Sequence, residues 1–161
     1  MKKIKLTKDK FALVDDQDFG KVNQFSWYFH KNGYAMAYIG GGRKNAKQIK
    51  MHRLIMNPPS DLKIDHINGN GLDNQKSNLR ICTQSNNLMN QKKRIGCSSQ
   101  YKGACWIKSR RLWESYIRFF HKKIHLGYFE KERYAAMAYD IAAKDLFGDF
   151  ARLNFPNAIH G

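Results

Sequence analysis

Residues 131–148, "KERYAAMAYDIAAKDLFG", limit the folds open to this chain more than any other stretch. Their alanine density and strong helix formers predict one helix, ended by Gly148 at a C-cap position. Ala135, Ala138 and Ala142 are expected on one face, where small side chains let a helix lie close to a sheet. The segments before it, "YKGACWIK", "LWESYIRFF" and "KKIHLGYF", alternate as three strands. Tight basic turns at "SRR" and "HKK" join them. Residues 101–161 therefore read as a compact αβ unit of three strands and one helix, small enough to be marginal alone.

The upstream rhythm differs. "KKIKL", "FALV", "SWYFH" and "YAMAYIG" predict short strands between polar turns. "GGGRKN" at 40–45 reads as a flexible hairpin tip, because it lacks the Lys-Ser/Thr that closes a phosphate-binding loop. "HRLIM", from His52, predicts a short helix stopped by Pro58 and Pro59. "NQKKRIGCSSQ" at 90–100 is basic and polar and reads as a linker able to lie along phosphates. No long internal repeat is present.

Charge names the class of partner. Lys and Arg total 29 against 13 Asp and Glu, a formal net charge of +16. Such an excess points to a polyanion, and nucleic acid is the usual one. A membrane is disfavoured: no helix pairs a cationic face with an apolar one, and no apolar run reaches spanning length. The N-terminus has positive charge but no apolar core of a signal peptide. Cys82, Cys97 and Cys105 are odd in number and never spaced as CxxC, which disfavours disulfides and structural zinc. The expectation is a reduced, intracellular protein carrying lone thiols.

The chemistry concentrates in "KIDHINGNGLDNQKSNLRICTQSNNLMN", residues 63–90. A strand ending in Asp65-His66, turns supplied by "NGNG", a strand from Leu79 to Thr83 and a helix over Gln84 to Asn90 bring Asp65-His66 within reach of Asn86-Asn87. One carboxylate and one carboxamide are enough protein for a hard divalent cation that keeps several waters. A neutral imidazole can take the proton of an attacking water. A polar hairpin with a solvated histidine fits the same residues.

These residues, with "MHRLIM" before them, resemble the HNH homing endonucleases, in the His-Asn-Asn variant with a ββα-metal site found in phage and mobile-intron enzymes. The resemblance implies His66 as general base, Asp65 and Asn87 as ligands of Mg²⁺ or Mn²⁺, and Asn78 as the residue pinning the loop that aims His66. A shift by one, to Asn86, is left open. His52 reads as packed or phosphate-touching. Arg53, Arg80 and Lys63 read as phosphate contacts or as solvated charge.

The C-terminal segments, with "ARLNFP", resemble over residues 98–156 the APETALA-type DNA-binding domain of plant ethylene-response factors. That family folds as a three-stranded antiparallel sheet packed on one helix and lays the sheet in the major groove, where arginines pair with guanine. The resemblance implies Arg110, Arg111, Arg118, Lys123 and His125 on the exposed face, Lys102 on the DNA backbone and Trp113 against sugar or base. Tyr116 and Arg118 share a face by alternation, and Ile117 points the other way. Cys105 and Trp106 stand near the family's first-strand arginines, Lys102 replaces another, and Lys131 stands where an N-cap Thr is common. Fewer arginines imply a weaker or different sequence preference.

The expected architecture is α+β: residues 1–92 a β-rich segment leading into an HNH core, 93–100 a basic linker, and 101–161 the sheet-helix domain. The expected function is a metal-dependent endonuclease cutting phosphodiesters in duplex DNA, with no small-molecule cofactor. It would act in the cytoplasm of a bacterial or phage-infected cell. A monomer is favoured over a dimer, since no heptad or apolar interface patch stands out. The competing classes are a non-catalytic, sequence-specific DNA-binding regulator and an RNA-binding protein of the translation machinery.

Overall fold

The computed structural model describes residues 1–40, 46–91, 93, 96 and 98–157. The glycine-rich tip beyond residue 40 and Cys97 lie outside them. The chain divides into two compact units, Met1–Asn87 and Leu88–Gly161, mixing helices with several small sheets in an α+β fold. No helix among the described residues is long and apolar enough to cross a membrane.

In the first unit, β1 (Lys2–Lys5) pairs antiparallel with β2 (Phe11–Val14). Alternation sends Ile4, Ala12 and Val14 inward and leaves Lys3, Lys5 and Phe11 outside. Helix α1 (Asp16–Val22) follows, then a sheet of β3 (Trp27–Phe29), β4 (Ala35–Ile39) and β5 (Lys47–Lys50) in that order. Val14, Val22 and Met51 are fully buried in the shared core, each worth about 2 kcal/mol of apolar burial. The Trp27 indole N–H donates to the Val22 carbonyl at 2.8 Å, so the largest core side chain buries no unsatisfied donor.

Helix α2 (Met51–Met56) ends as the sequence predicts, although its stop is Asn57 in the left-handed region (φ 43°), one residue before the prolines. The Arg53 guanidinium donates to the carbonyls of Leu62 (2.9 Å) and Pro59 (3.2 Å). Arg53 thus ties the proline loop to its helix. Strands β6 (Lys63–His66) and β7 (Leu79–Cys82) pair antiparallel, and α3 (Gln84–Met89) follows directly.

The second unit is a sheet in the order β10–β9–β8, from β8 (Ala104–Ile107), β9 (Leu112–Phe119) and β10 (Lys122–Phe129), covered by α4 (Glu132–Phe147). The packed stripe of α4 is Ala135, Ala136, Tyr139, Ala143 and Phe147. Ala138 and Ala142, expected at its centre with Ala135, are only half-buried on the flank, because residues four apart from Ala135 set the direction. Gly103 (φ +81°) lies against the Tyr139 ring, and a Cβ there would overlap it. Asp140, 1% exposed, accepts from the backbone N–H and carboxamide of Asn154 and from the N–H of Phe155. That carboxylate fixes the chain's return along the helix.

Candidate active site

Asp65 and His66 close β6, and both are 5% exposed. The His66 ring lies 4.9 Å from His52 on α2, nearly perpendicular to it, and 5.8 Å from Tyr34 ahead of β4. Tyr34 also meets His52 edge-on at 5.2 Å, so three rings brace one another. Lys50, at the end of β5, sets its ammonium 5.0 Å from the Tyr34 ring centre. Gly71 makes this possible: a Cβ there would stand 2.5 Å from the Gly33 carbonyl and 2.8 Å from the Tyr34 ring.

Burial pushes the His66 pKa below the ordinary 6.5, against the opposing pull of Asn74, Asp65 and Asp73. The imidazole is therefore neutral at pH 7, the state a proton acceptor needs. His52 goes further, to about 3, through burial and then the charges of His66, Lys50 and Arg53. Its Nδ1 has no hydrogen-bond partner among the described residues.

A consequence for stability follows from His52. A histidine with a depressed native pKa binds its proton more readily in the unfolded chain, so its stabilising share is lost as pH falls from 6.5 toward about 3. We expect the parent to lose about 2 kcal/mol more than His52→Phe between pH 7 and pH 5, read by urea unfolding. Equal slopes for the two proteins would remove His52 from the account.

The asparagines replace backbone partners. Asn78 Oδ1 accepts from the Asn68 N–H at 3.0 Å, and Asn78 Nδ2 donates to the Asp73 carbonyl at 2.8 Å. The Asn78 carbonyl accepts from the Ile67 N–H at 2.9 Å, next to His66. Asn68 Oδ1 accepts from Asn70 N–H, and Asn70 Oδ1 from Leu72 N–H. Strand β2 holds the loop from outside: the Leu13 N–H donates to Leu72, the Asn74 N–H donates to Leu13, and Asp15 accepts from Lys76 N–H.

Asp65 faces Arg80 across the hairpin, its Oδ2 accepting from Nε at 2.9 Å and Nη2 at 2.7 Å. The sequence offered Arg80 as a phosphate contact; in the structure it steadies a carboxylate. Asn86 and Asn87 lie in the middle of α3. Asn86 Oδ1 accepts from the Thr83 hydroxyl at 2.9 Å, a helix-capping contact. Among the described residues no three His, Cys, Asp or Glu side chains gather to hold a metal ion. The donor chemistry is one carboxylate and one carboxamide, which fits a hard cation that retains its waters.

In the second unit, Arg118, Lys123 and His125 share the outer face of the sheet. Glu114 lies among them, its carboxylate 2.7 and 2.8 Å from the Lys123 ammonium and 3.3 Å from His125 Nδ1. Arg110 and Arg111 occupy the β8–β9 turn, with the Arg110 guanidinium over the Tyr128 ring at 4.6 Å. Two of the expected DNA contacts are placed elsewhere. The Lys102 ammonium donates inward to the Met89 and Gln91 carbonyls at 2.7 and 2.9 Å, and burial lowers its pKa to about 8. Trp113 pairs with Trp106 at 5.1 Å on the face it shares by alternation with Ile117, away from Arg118.

Tyr34, Lys50, Gly71 and Asn74 are absent from the sequence reading of the site. Tyr34 and Lys50 lie before the motif and carry no spacing signal. Gly71 and Asn74 are lost among turn residues of the same kind.

Residues 51–89 match the HNH endonuclease family model. Over 155 residues the chain is 32% identical to an HNH endonuclease of Acanthamoeba polyphaga mimivirus, covering 91% of this chain and 76% of the relative. The chain belongs to the HNH endonuclease family. As an HNH endonuclease it is a nuclease acting on DNA, and its reading as a non-catalytic regulator falls away. The HNH endonuclease is also 31% identical over 94 residues to Protein 3.8 of Escherichia phage T7, across 58% of this chain and 77% of that one. Its similarity to an ethylene-responsive transcription factor of Arabidopsis thaliana is 44% identity over 61 residues, 37% of this chain and 33% of the relative. HNH nucleases generally use divalent metal ions.

Proposed function

We propose that this HNH endonuclease is a metal-dependent hydrolase of duplex DNA, of the homing type carried by phage or mobile elements, acting inside the infected or host cell. The observation that carries the reading is His66, neutral and braced by Tyr34 and His52 beside the Asp65 carboxylate. His66 accepts the proton of a water that attacks phosphorus, the bond to the 3′-oxygen breaks, and that oxygen takes a proton from solvent water, leaving 5′-phosphate and 3′-hydroxyl ends. Asp65 and Asn87 would hold Mg²⁺ or Mn²⁺, and the ion would supply stabilisation of the charge that develops in the reaction. Asn78 fixes the loop that carries His66. Arg80 holds the Asp65 carboxylate in its orientation.

The second unit serves as an ethylene-response-factor-type DNA-binding domain. Its reading residues are Arg118, Lys123, His125, Arg110 and Arg111, while Lys102 and Trp113 support the sheet they stand on. A monomer carries one active site and nicks; a double-strand break takes two events. Supercoiled plasmid incubated with Mg²⁺ or Mn²⁺ is expected to yield relaxed and linear forms, and EDTA to prevent them. Intact plasmid across metal and salt conditions would sink this reading.

A further inference from the structure

The β3–β4–β5 sheet has a face that continues from the His66 site outward, and its outer part, around Tyr38, has no role in the nuclease chemistry. Cross-strand pairing of Tyr28 with Met36, Met36 with Lys50, and Tyr38 with Gln48 puts these side chains on one side, opposite Ala35 and Ala37 in the core. Tyr28 and Tyr38 stack at 5.6 Å with their planes 19° apart. The Gln48 carboxamide clips the pair, donating to both phenol oxygens at 3.0 Å. Tyr38 is nonetheless 59% exposed.

The exposed Tyr38 of this ordered pair offers an aromatic surface on which a base or sugar can stack. The same face carries Lys50, whose ammonium lies over Tyr34, and Tyr34 touches the His66 ring. An aromatic and cationic track therefore runs from Tyr38 to the candidate general base.

We infer that this face is a second DNA-contact surface, on which the substrate strand flanking the scissile phosphate packs a sugar or base on Tyr38 and a phosphate on Lys50. Charge selects the occupant, since the chain carries a net +16 and the face presents a lysine but no carboxylate among these side chains. Continuity with His66 selects which DNA: the stretch next to the cut. Stacking accepts any base, so the surface supplies affinity and register, while base identity is read elsewhere. The inference rests on the nuclease reading for the place of the cut.

The test uses the full chain in a His66→Ala background, so that binding is measured without cleavage. Fluorescence anisotropy with a duplex should show Tyr38→Ala binding about 10-fold more weakly, with the salt slope unchanged. Tyr38→Phe keeps the ring and should bind within about twofold of the parent. Lys50→Gln should reduce the salt slope by about one phosphate contact. In a duplex carrying 5-iodouracil beside the cut, the unsubstituted surface should crosslink through Tyr38 or Tyr28, a readout that needs no folded variant. Parental affinity in Tyr38→Ala with no crosslink at either tyrosine overturns the inference. Failure of the His66 protein to cut at all would overturn the nuclease reading instead, and leaves the binding comparison legible.

Discussion

His66→Ala is expected to lower single-turnover plasmid cleavage about 1000-fold, near the middle of the range for removing a general base. The loss should fall on the chemical step, with DNA affinity kept, because nothing in the site makes His66 a phosphate anchor. Its ring is braced by Tyr34 and His52, so the replacement leaves those two rings facing a small gap. Some loss of stability will accompany the change, on the order of 1–2 kcal/mol for a partly filled cavity. The variant must therefore be assayed well below its unfolding temperature. Gel quantification of relaxed product decides the matter. A variant that nicks at the parental rate would take the proton-acceptor role from His66.

Asp65→Asn carries the second large effect, and it acts on activity and stability together. The carboxylate is the one anionic donor assigned to the metal ion, and its loss is expected to cost at least about 100-fold in rate. It is also the ion-pair partner of the half-buried Arg80. Breaking a fully buried ion pair costs about 3–5 kcal/mol, and this half-buried pair is expected to cost less because Arg80 keeps some water. The two roles separate in a double variant. Asp65→Asn with Arg80→Met should recover much of the stability, because no half-buried charge is left facing a lost carboxylate, while cleavage stays lost. Urea unfolding and plasmid assays on the three proteins read the two axes independently. Regained cleavage in the double variant would show that Asp65 matters to folding and not to the metal ion.

Much of the fold was legible because burial follows simple periods. Ile4, Ala12 and Val14 face inward at strand spacing, whereas the buried stripe of α4 keeps Ala135 but runs through Tyr139 and Ala143 and not Ala138 and Ala142. What escaped had weak local signals. In α1, Gly20 and a β-branched Val22 sit in a seven-residue helix, and its position owes more to Phe19 and Val22 reaching the core than to propensity. In β5, "KQIK" turns only Ile49 inward, too little apolar pattern to announce a strand.

At the site, the motif residues were legible by type and their partners were not. Asp65, His66 and Asn78 stand close together in sequence, whereas Tyr34 and Lys50 reach His66 only through tertiary packing. Arg53, Arg80 and Lys102 mark the other limit. A basic residue reads as a DNA contact until its acceptors are seen, and all three donate to the protein itself. Trp113 shows that alternation has to be applied to every residue of a strand: the argument that turns Arg118 outward turns Trp113 the other way.

The hold of β2 on the loop between β6 and β7 makes the nuclease motif poorly portable. Residues 51–89 carry the recognisable signature, yet their loop is fastened through Leu13 and Asp15, and their histidine is braced by Tyr34. A gene fragment shuffled into another protein with that signature alone would bring the reactive groups without their scaffold. The first fifty residues therefore travel with the motif as its other half, and recombination that parts the two leaves neither a working catalyst nor a settled loop.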